Sequence, residues 1–450
     1  MNLFDGIKNV FKSDTDIDEK LLEENNKTAK YKYEIVSISD SAYVCSIGAR
    51  TCYGLNADKE YIKNRKYIGK ILGFGHDSVS AHSNIMVLIK AISGESLGGD
   101  PLLNALPALK FMNIAVLNDE YVDEETSEKH NTKYILLSGS VRAYRYFVMT
   151  YPMYNDEDAD SSFYNVIMDV IYSSIESEFF NDLIEKGLLE KERFTYIAPI
   201  LPPKIDDESN EDLAIDINTA ESIHYPELDG KRVDIIYSDE ILSIYNYLTY
   251  ELPHVDKDKI IKAIFDTSVI TIRLHNYSRA ISQQINRHMS GISQESQRYV
   301  DYSSAQFIDP LVFDTEKYDP GKLYDIKLFG TDVKLTSQEL GDSLVKIYNQ
   351  LRNQGMLAQD ARSFLPINVK TKTIHTFTYT NFLHFIKVRS KPATQAENRF
   401  IANEMKTLML QSLYRFVDYE YTDDEVVNAT IAKMKNVYDL FEKKILELTK

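Results

Sequence analysis

Apolar positions along the chain follow two rhythms. "NIMVLIKA" (84–91) and "SVITIRLH" (268–275) are β-branched runs of strand length, the second alternating as a half-buried strand does. Helical spacing governs other stretches. "QAENRFIANEMKTLMLQSLYRF" (395–416) puts Ile401, Met405 and Leu408 on one stripe, which reads as core. "SDEILSIYNYLTYE" (238–251) carries the same spacing, and "LGDSLVKIYNQLRNQG" (340–355) ends in Gly355, a natural C-cap. A further helix is predicted from Ser278 to Arg287, directly behind the second strand. This mixture predicts an α+β fold.

The pattern breaks where apolar content fails. "APILPPKIDDESNEDLAIDINTAESIHYPELDGKR" (198–232) passes from prolines into acids, cannot bury a core, and divides the chain almost in half. "SGESLGGDPLLNALP" (93–107) is turn-rich, and "NDEYVDEETSEKHN" (118–131) reads as an exposed acidic loop. At 450 residues, two domains are expected. The boundaries read as an N-terminal extension (1–30), a first half (31–205), an acidic linker (206–232) and a second half (233–450).

Composition narrows the function classes. The chain carries 51 Lys+Arg against 68 Asp+Glu, a formal charge of −17, which disfavours nucleic acid and anionic membrane as extended partners. The apolar fraction of 44% is ordinary, and no apolar stretch is long enough to span a bilayer. The first residues lack a secretory pattern, so a cytoplasmic location is expected. Cys45 and Cys52 share one predicted helix and read as small core residues in a reducing compartment. His76 and His82 stand six apart, a spacing that matches no helical ligand pair, so no metal is expected.

Against this acidic background, "INRHMSGISQESQRYVDYS" (285–303) concentrates cationic, hydroxyl and amide side chains. Gln284 with Arg287, or Gln284 with His288, falls on one helical face. The following "MSGISQESQR" is expected to be a loop whose amides and hydroxyls surround a phosphate, with the planar fork of Arg298 beside it.

"RHMSGISQESQRY" resembles the signature of the flavin-dependent thymidylate synthases. Four further segments fall in that family's order: "GARTCYG" (48–54), "GHDSVSAH" (75–82), "DARSFLP" (360–366) and "FLHFIKVRSKPATQAE" (382–397). The resemblance implies a mixed fold with a central, largely antiparallel sheet flanked by helices. It also implies reductive methylation of dUMP to dTMP, with methylenetetrahydrofolate as carbon donor and NADPH reducing a bound FAD. No cysteine nucleophile is then needed. Position by position, Gln284, Arg287, Gln294, Glu295, Ser296, Gln297, Arg298 and Arg362 resemble the dUMP contacts. Arg389 resembles the catalytic arginine that stabilises negative charge on the pyrimidine. His76, Ser78, Arg142, Arg287, His288 and His384 resemble flavin-side positions.

The sequence departs from the family pattern at three places. Met289 replaces the last arginine of Arg-His-Arg, with a spacer one residue shorter; Ala81 replaces a glutamate; and Thr378-Tyr379-Thr380 replaces Asn-x-Arg. "LLSGSVRAYRYF" (136–147) resembles that last missing segment, with Arg142 in the arginine position and Phe147 matching Phe385. The chain therefore reads as two fused, diverged copies of one unit, against the alternative of one unit with a very long insertion. A homo-oligomer is expected, a dimer of this chain imitating the family's tetramer. Two other functions compete: release of a hydroxymethylated nucleotide, and a nucleotide-binding or assembly subunit without turnover.

Overall fold

A computed structural model describes residues 31–54, 61–91, 108–123, 126–151, 162–196, 232–288, 291–309, 319, 321–328, 330–415, 417–418 and 425–450. The proposed N-terminal extension, nearly all of the acidic linker, the turn-rich 93–107 stretch and Met289 lie outside these residues.

The first half runs β1 (Tyr31–Ile38), α1 (Ser41–Cys52), α2 (Tyr61–Gly73), a 3-10 turn (Asp77–His82), β2 (Ile85–Ala91), β3 (Asn113–Val122), β4 (Lys129–Gly139), α3 (Val141–Thr150), α4 (Ser162–Ser174) and α5 (Asn181–Glu185). The second opens with β5 (Val233–Ser238), α6 (Ile241–Glu251), α7 (Lys257–Thr267), β6 (Val269–Ser278), α8 (Arg279–Ile285) and β7 (Gly291–Gln294). It continues through β8 (Tyr324–Leu328), β9 (Thr331–Leu335), α9 (Ser337–Asn353), α10 (Ala358–Ala361), β10 (Lys370–Thr378), α11 (Tyr379–Arg389), α12 (Ala396–Arg415) and α13 (Glu425–Leu448). Among the described residues no helix is long and apolar enough to cross a membrane.

Each half builds one four-stranded antiparallel sheet, ordered β1-β2-β4-β3 in the first and β5-β6-β10-β7 in the second. The likeness extends to single residues. β1 slips register against β2 between Ile35 and Ser37, and β5 slips against β6 between Ile235 and Tyr237. Aligning the two slips matches Met86 with Thr271, Ser138 with Thr376 and Ala115 with Ser293. The last long strand of each sheet runs into a capped helix: Ser140 accepts a hydrogen bond from Ala143 N ahead of α3, and Thr378 accepts one from Asn381 N ahead of α11.

The halves cover each other. α1 packs on β7 and β10 of the second sheet, while α7 packs on β3 and β4 of the first. Strand alternation gives the first sheet two buried faces. Val87, Ile89, Ile135 and Leu137 join a core with α1 to α4, whereas Met86, Leu88, Tyr134 and Leu136 join the core built by α6, α7, α11, α12 and α13. At the junction, Asp239, 1% exposed, accepts hydrogen bonds from Ser37 Oγ (2.6 Å), Tyr237 Oη (2.6 Å), Asn84 Nδ2 (2.9 Å) and Val269 N (2.6 Å). Burial raises its pKa above the usual carboxylate range, and those donors pull it partly back.

The expected strands and helices are present, and Gly355 follows α9 with φ +90°. Two expectations change. Most of residues 118–131 are strand and not loop: β3 and β4 pair continuously from Val122 with Lys129 to Asn113 with Ser138, leaving only residues 123–128 between them. β3 is an edge strand, where outward charges such as Glu120 stay in water and discourage further pairing. Likewise Gly291–Gln294 is a strand, because the free edge of β10 satisfies its backbone groups.

Candidate functional site

The site is organised around the short helix α8. Its entry is fixed by Glu397, fully buried, whose carboxylate accepts from both the backbone N–H and the hydroxyl of Ser278 at 2.6 Å. Arg279 N and Ala280 N donate to Val369 O and Ile367 O at 2.9 Å, so these two first-turn donors have partners. At the other end, Gln284 Nε2 donates to Gln395 Oε1 (2.8 Å) and Gln284 Oε1 accepts from Asn398 Nδ2 (3.0 Å). The start of α12 therefore grips α8 at both ends.

Beyond α8 lies a cationic cluster. Arg389, the last residue of α11, donates from Nε to His288 Nε2 (3.2 Å) and from a terminal nitrogen to Gln284 O (3.3 Å). The His288 ring meets Phe385 edge-on with centroids 4.9 Å apart and lies 6.0 Å from the His384 ring. Burial, with Arg389 and His384 adding to it, lowers the His288 pKa to about 4. Burial first and Arg287 second depress the pKa of Arg389. Among the described residues, Arg287, Arg298, Arg362 and Arg389 have no carboxylate within ion-pair distance. Arg142, Arg145 and Arg65 of the first half all have one. Uncompensated cations of this kind suit an anionic ligand.

The serine-rich turn sits at the entry end of α8. Gln294 Nε2 donates to Ser282 Oγ (2.8 Å), and Glu295 O accepts from Arg279 (3.4 Å) while its carboxylate accepts from Tyr302 Oη (2.6 Å). Ser296 N donates to Cys52 O of the first half at 2.9 Å. Gln297 is buried, whereas Arg298 is exposed and stacks on its neighbour Tyr299. Gln294 and Glu295 thus anchor the turn and leave Ser296 and Arg298 to meet a ligand. Arg362, in the "DARSFLP" segment, donates to Gln359 O (3.0 Å) just ahead of the residues that receive the α8 amides.

The first half supplies a third group. The exposed His76 and Ser78 flank Asp77, whose carboxylate lies 3.5 Å from Arg142; the Arg142 guanidinium also lies over the Phe111 ring at 5.1 Å. The 3-10 turn packs on β7, and a Cβ at Gly291 would come within 2.8 Å of Ala81 O.

Of the residues singled out in the sequence, Gln284, Arg287, His288, His384 and Arg389 converge at one end of α8. Residues 294–298 gather at the other, Arg362 stands on the segment leading to that end, and His76, Ser78 and Arg142 form a separate patch. Sequence reasoning missed Glu397, Gln395 and Asn398, although they lie within or beside a recognised segment, because their partners Ser278 and Gln284 stand more than a hundred residues away and leave no local pattern. Burial pushes the Cys45 thiol up to about 12 and raises that of Cys52, so neither is an activated nucleophile.

Residues 253–413 match the family described as Thymidylate synthase complementing protein. A probable flavin-dependent thymidylate synthase of Paramecium bursaria Chlorella virus 1 is 28% identical over 151 residues, covering 33% of this chain and 69% of that protein. The flavin-dependent thymidylate synthase of Geobacter sulfurreducens is 31% identical over 149 residues, with 33% and 59% covered. For two archaeal Thermococcus and Pyrococcus relatives the chain spans just over half the length, 55%. Among solved structures, thymidylate synthase X from Helicobacter pylori with FAD and dUMP aligns at 12% identity and TM-score 0.29, over 39% of this chain and 92% of that one. The UMP/dUMP methylase PolB from Streptomyces cacaoi aligns at 14% and 0.29, over 40% and 89%.

Proposed function

We propose that this chain, whose residues 253–413 match the thymidylate synthase complementing family, is a flavin-dependent thymidylate synthase and methylates dUMP to dTMP with bound FAD. Methylenetetrahydrofolate supplies the carbon and NADPH the reducing equivalents. The observation that carries this reading is that Arg287 and Arg389, without a carboxylate partner among the described residues, stand beside a neutral His288 at one end of a helix whose other end holds the serine-rich turn.

The residues fit their parts. Arg298, Arg362 and the Ser296 hydroxyl offer phosphate contacts without competing carboxylates. Arg389, half-buried and aimed by its bonds to His288 and Gln284, stabilises negative charge on the pyrimidine as carbon 5 attacks the one-carbon donor. His288, neutral near pH 7, adds no repulsion to the two arginines and offers hydrogen bonds to the flavin side, together with Arg287 and His384. His76, Ser78 and Arg142 would hold the flavin from the first-half patch. Flavin, when bound and reduced, supplies the electrons that complete the methyl group.

Matched strand orders, register slips and helix caps support two fused copies of one unit, with the first half specialised for flavin and the second for nucleotide. A dimer of this chain would then imitate a four-unit assembly. The two free cysteines suit the cytoplasm. Purified protein incubated with FAD, dUMP, methylenetetrahydrofolate and NADPH is expected to carry flavin absorbance and yield a nucleotide heavier by one methyl substitution. Colourless protein and unchanged dUMP would defeat the proposal.

A further inference from the structure

We propose that His82, from the first half, is a positioning residue for the nucleotide-binding turn of the second: through Ser293 it holds β7, and with β7 the run Gln294–Arg298. The proposal rests on the thymidylate synthase reading for its ligand and on the geometry for everything else.

His82 is fully buried at the end of the 3-10 turn, yet each of its ring nitrogens meets a hydroxyl of the other half. Nε2 lies 2.8 Å from Ser293 Oγ, and Nδ1 lies 3.0 Å from Thr376 Oγ1. Thr376 in turn meets Thr271 Oγ1 at 2.8 Å, and Thr271 donates back to His82 O at 3.4 Å. One imidazole thereby ties β6, β10 and β7 together. The chain makes room for it: a Cβ at Gly48 would overlap His82 Cδ2 and come within 3.3 Å of Ser293 Oγ. Ser293 is the residue before Gln294, and three residues further on Ser296 N is tied to Cys52 O, so the turn is pinned to the first half at two points.

The other junction shows that the fold does not require this pair. Under the matched registers, His82 corresponds to Thr267, Thr376 to Ser138 and Ser293 to Ala115. There Ser138 Oγ donates to the Thr267 carbonyl and accepts from Asn113 Nδ2 at the start of the edge strand (3.4 Å), and that strand carries alanine where β7 carries Ser293, so no histidine–serine bond forms. β3 continues into an ordinary hairpin; β7 continues into the nucleotide turn. The histidine–serine bond occurs only where a ligand loop follows.

The test replaces the pair by the residues found at the other junction, His82→Thr, Ser293→Ala and both together, in the full chain. A turn that spends less time in its binding conformation weakens affinity by that fraction, so each single variant should bind dUMP about five- to tenfold more weakly. The double variant should be no worse than the weaker single, because both remove one bond. Amide hydrogen exchange should quicken in residues 291–298 alone, with flavin absorbance retained. Unchanged dUMP affinity and unchanged exchange in folded variants would overturn the proposal. If the unaltered protein fails to bind dUMP, the thymidylate synthase reading falls, and the exchange measurement still decides the positioning role. Should His82→Thr not fold, Ser293→Ala decides it, since it deletes the same bond and keeps the buried ring.

Discussion

Arg389 Nε donates to His288 Nε2 across 3.2 Å, joining the last residue of α11 to the turn that follows α8. A guanidinium has no acceptor, so the imidazole nitrogen facing it carries a lone pair and the ring proton sits on Nδ1. The bond therefore requires neutral His288, in keeping with the lowering of its pKa to about 4. It also aims a cation that no carboxylate among the described residues neutralises.

Arg389→Ala should lower kcat by about 10²- to 10³-fold, the usual loss when a preorganised charge stabiliser is removed. Flavin absorbance should persist. The matched position in the first half is Tyr151, a buried ring stacked on Tyr164 at 4.7 Å, so the first half offers no arginine at that position. Removing the neighbouring cation should also raise the His288 pKa toward its ordinary value, visible in an NMR titration. Retained turnover would remove Arg389 from the chemistry.

Arg142→Ala should weaken FAD retention about tenfold, a charge-assisted contact's worth, and leave dUMP affinity within about twofold. The fold should not suffer. Asp77, its partner, keeps a bond to the buried Arg145 at 2.7 Å, and Arg145 is held in turn by Asp182 and the Phe179 carbonyl. Equilibrium dialysis with FAD and with dUMP separates the two effects. Equal loss of both ligands would argue against a flavin-side patch.

How much of this was legible in the sequence depends on whether the signal was local. The strand 268–275, the helix that Gly355 follows and the helix ending at Arg415 show in periodicity and capping; the shared face of Gln284, Arg287 and His288 shows in spacing, whereas His384 and Arg389 came only from the family resemblance. His82 illustrates the opposite case. Its partners Ser293 and Thr376 lie more than two hundred residues away, and nothing in "GHDSVSAH" distinguishes a buried hydrogen-bonded ring from a ligand contact. Glu397 was equally silent, since its partners include a backbone N–H. The 118–131 stretch misled because charge suggested a loop, while an edge strand tolerates charge on its solvent face.

Stability should fall as pH drops from about 6.5 toward 4. His82 and His375 are fully buried and their pKa values are lowered to about 4 and about 3, chiefly by burial. A histidine whose folded pKa is depressed binds its proton more readily when unfolded, so its contribution is complete above the unfolded value and drains as pH falls. For His82 the shift is worth on the order of 3 kcal/mol by pH 4. The buried Asp239, Glu397 and Glu404, with raised pKa values, oppose the trend because they accept protons more readily when folded. Melting temperatures across this window should decline less steeply in His375→Gln than in the unaltered chain. Parallel curves would mean that the histidine is not what drives acid lability.

Glu397 separates hydrogen bonding from charge. Its two oxygens accept from Ser278 N and Ser278 Oγ, while burial raises its pKa and the nearby Arg232 pulls it down. Glu397→Gln keeps the shape: the amide oxygen accepts from the backbone N–H, and the amide nitrogen donates to a hydroxyl that reverses its role. Glu397→Ala strands both groups in the core and leaves a cavity, at a cost of roughly 2–4 kcal/mol. Urea unfolding should therefore rank the alanine variant far below the glutamine variant, and dUMP affinity should follow the same order, because the entry of α8 aligns Arg279 with Glu295 at the serine-rich turn proposed to bind the nucleotide. If glutamine is as damaging as alanine, pairing with Arg232 is what places the carboxylate there, and the helix would have to be held chiefly by Gln395 and Asn398 at its other end.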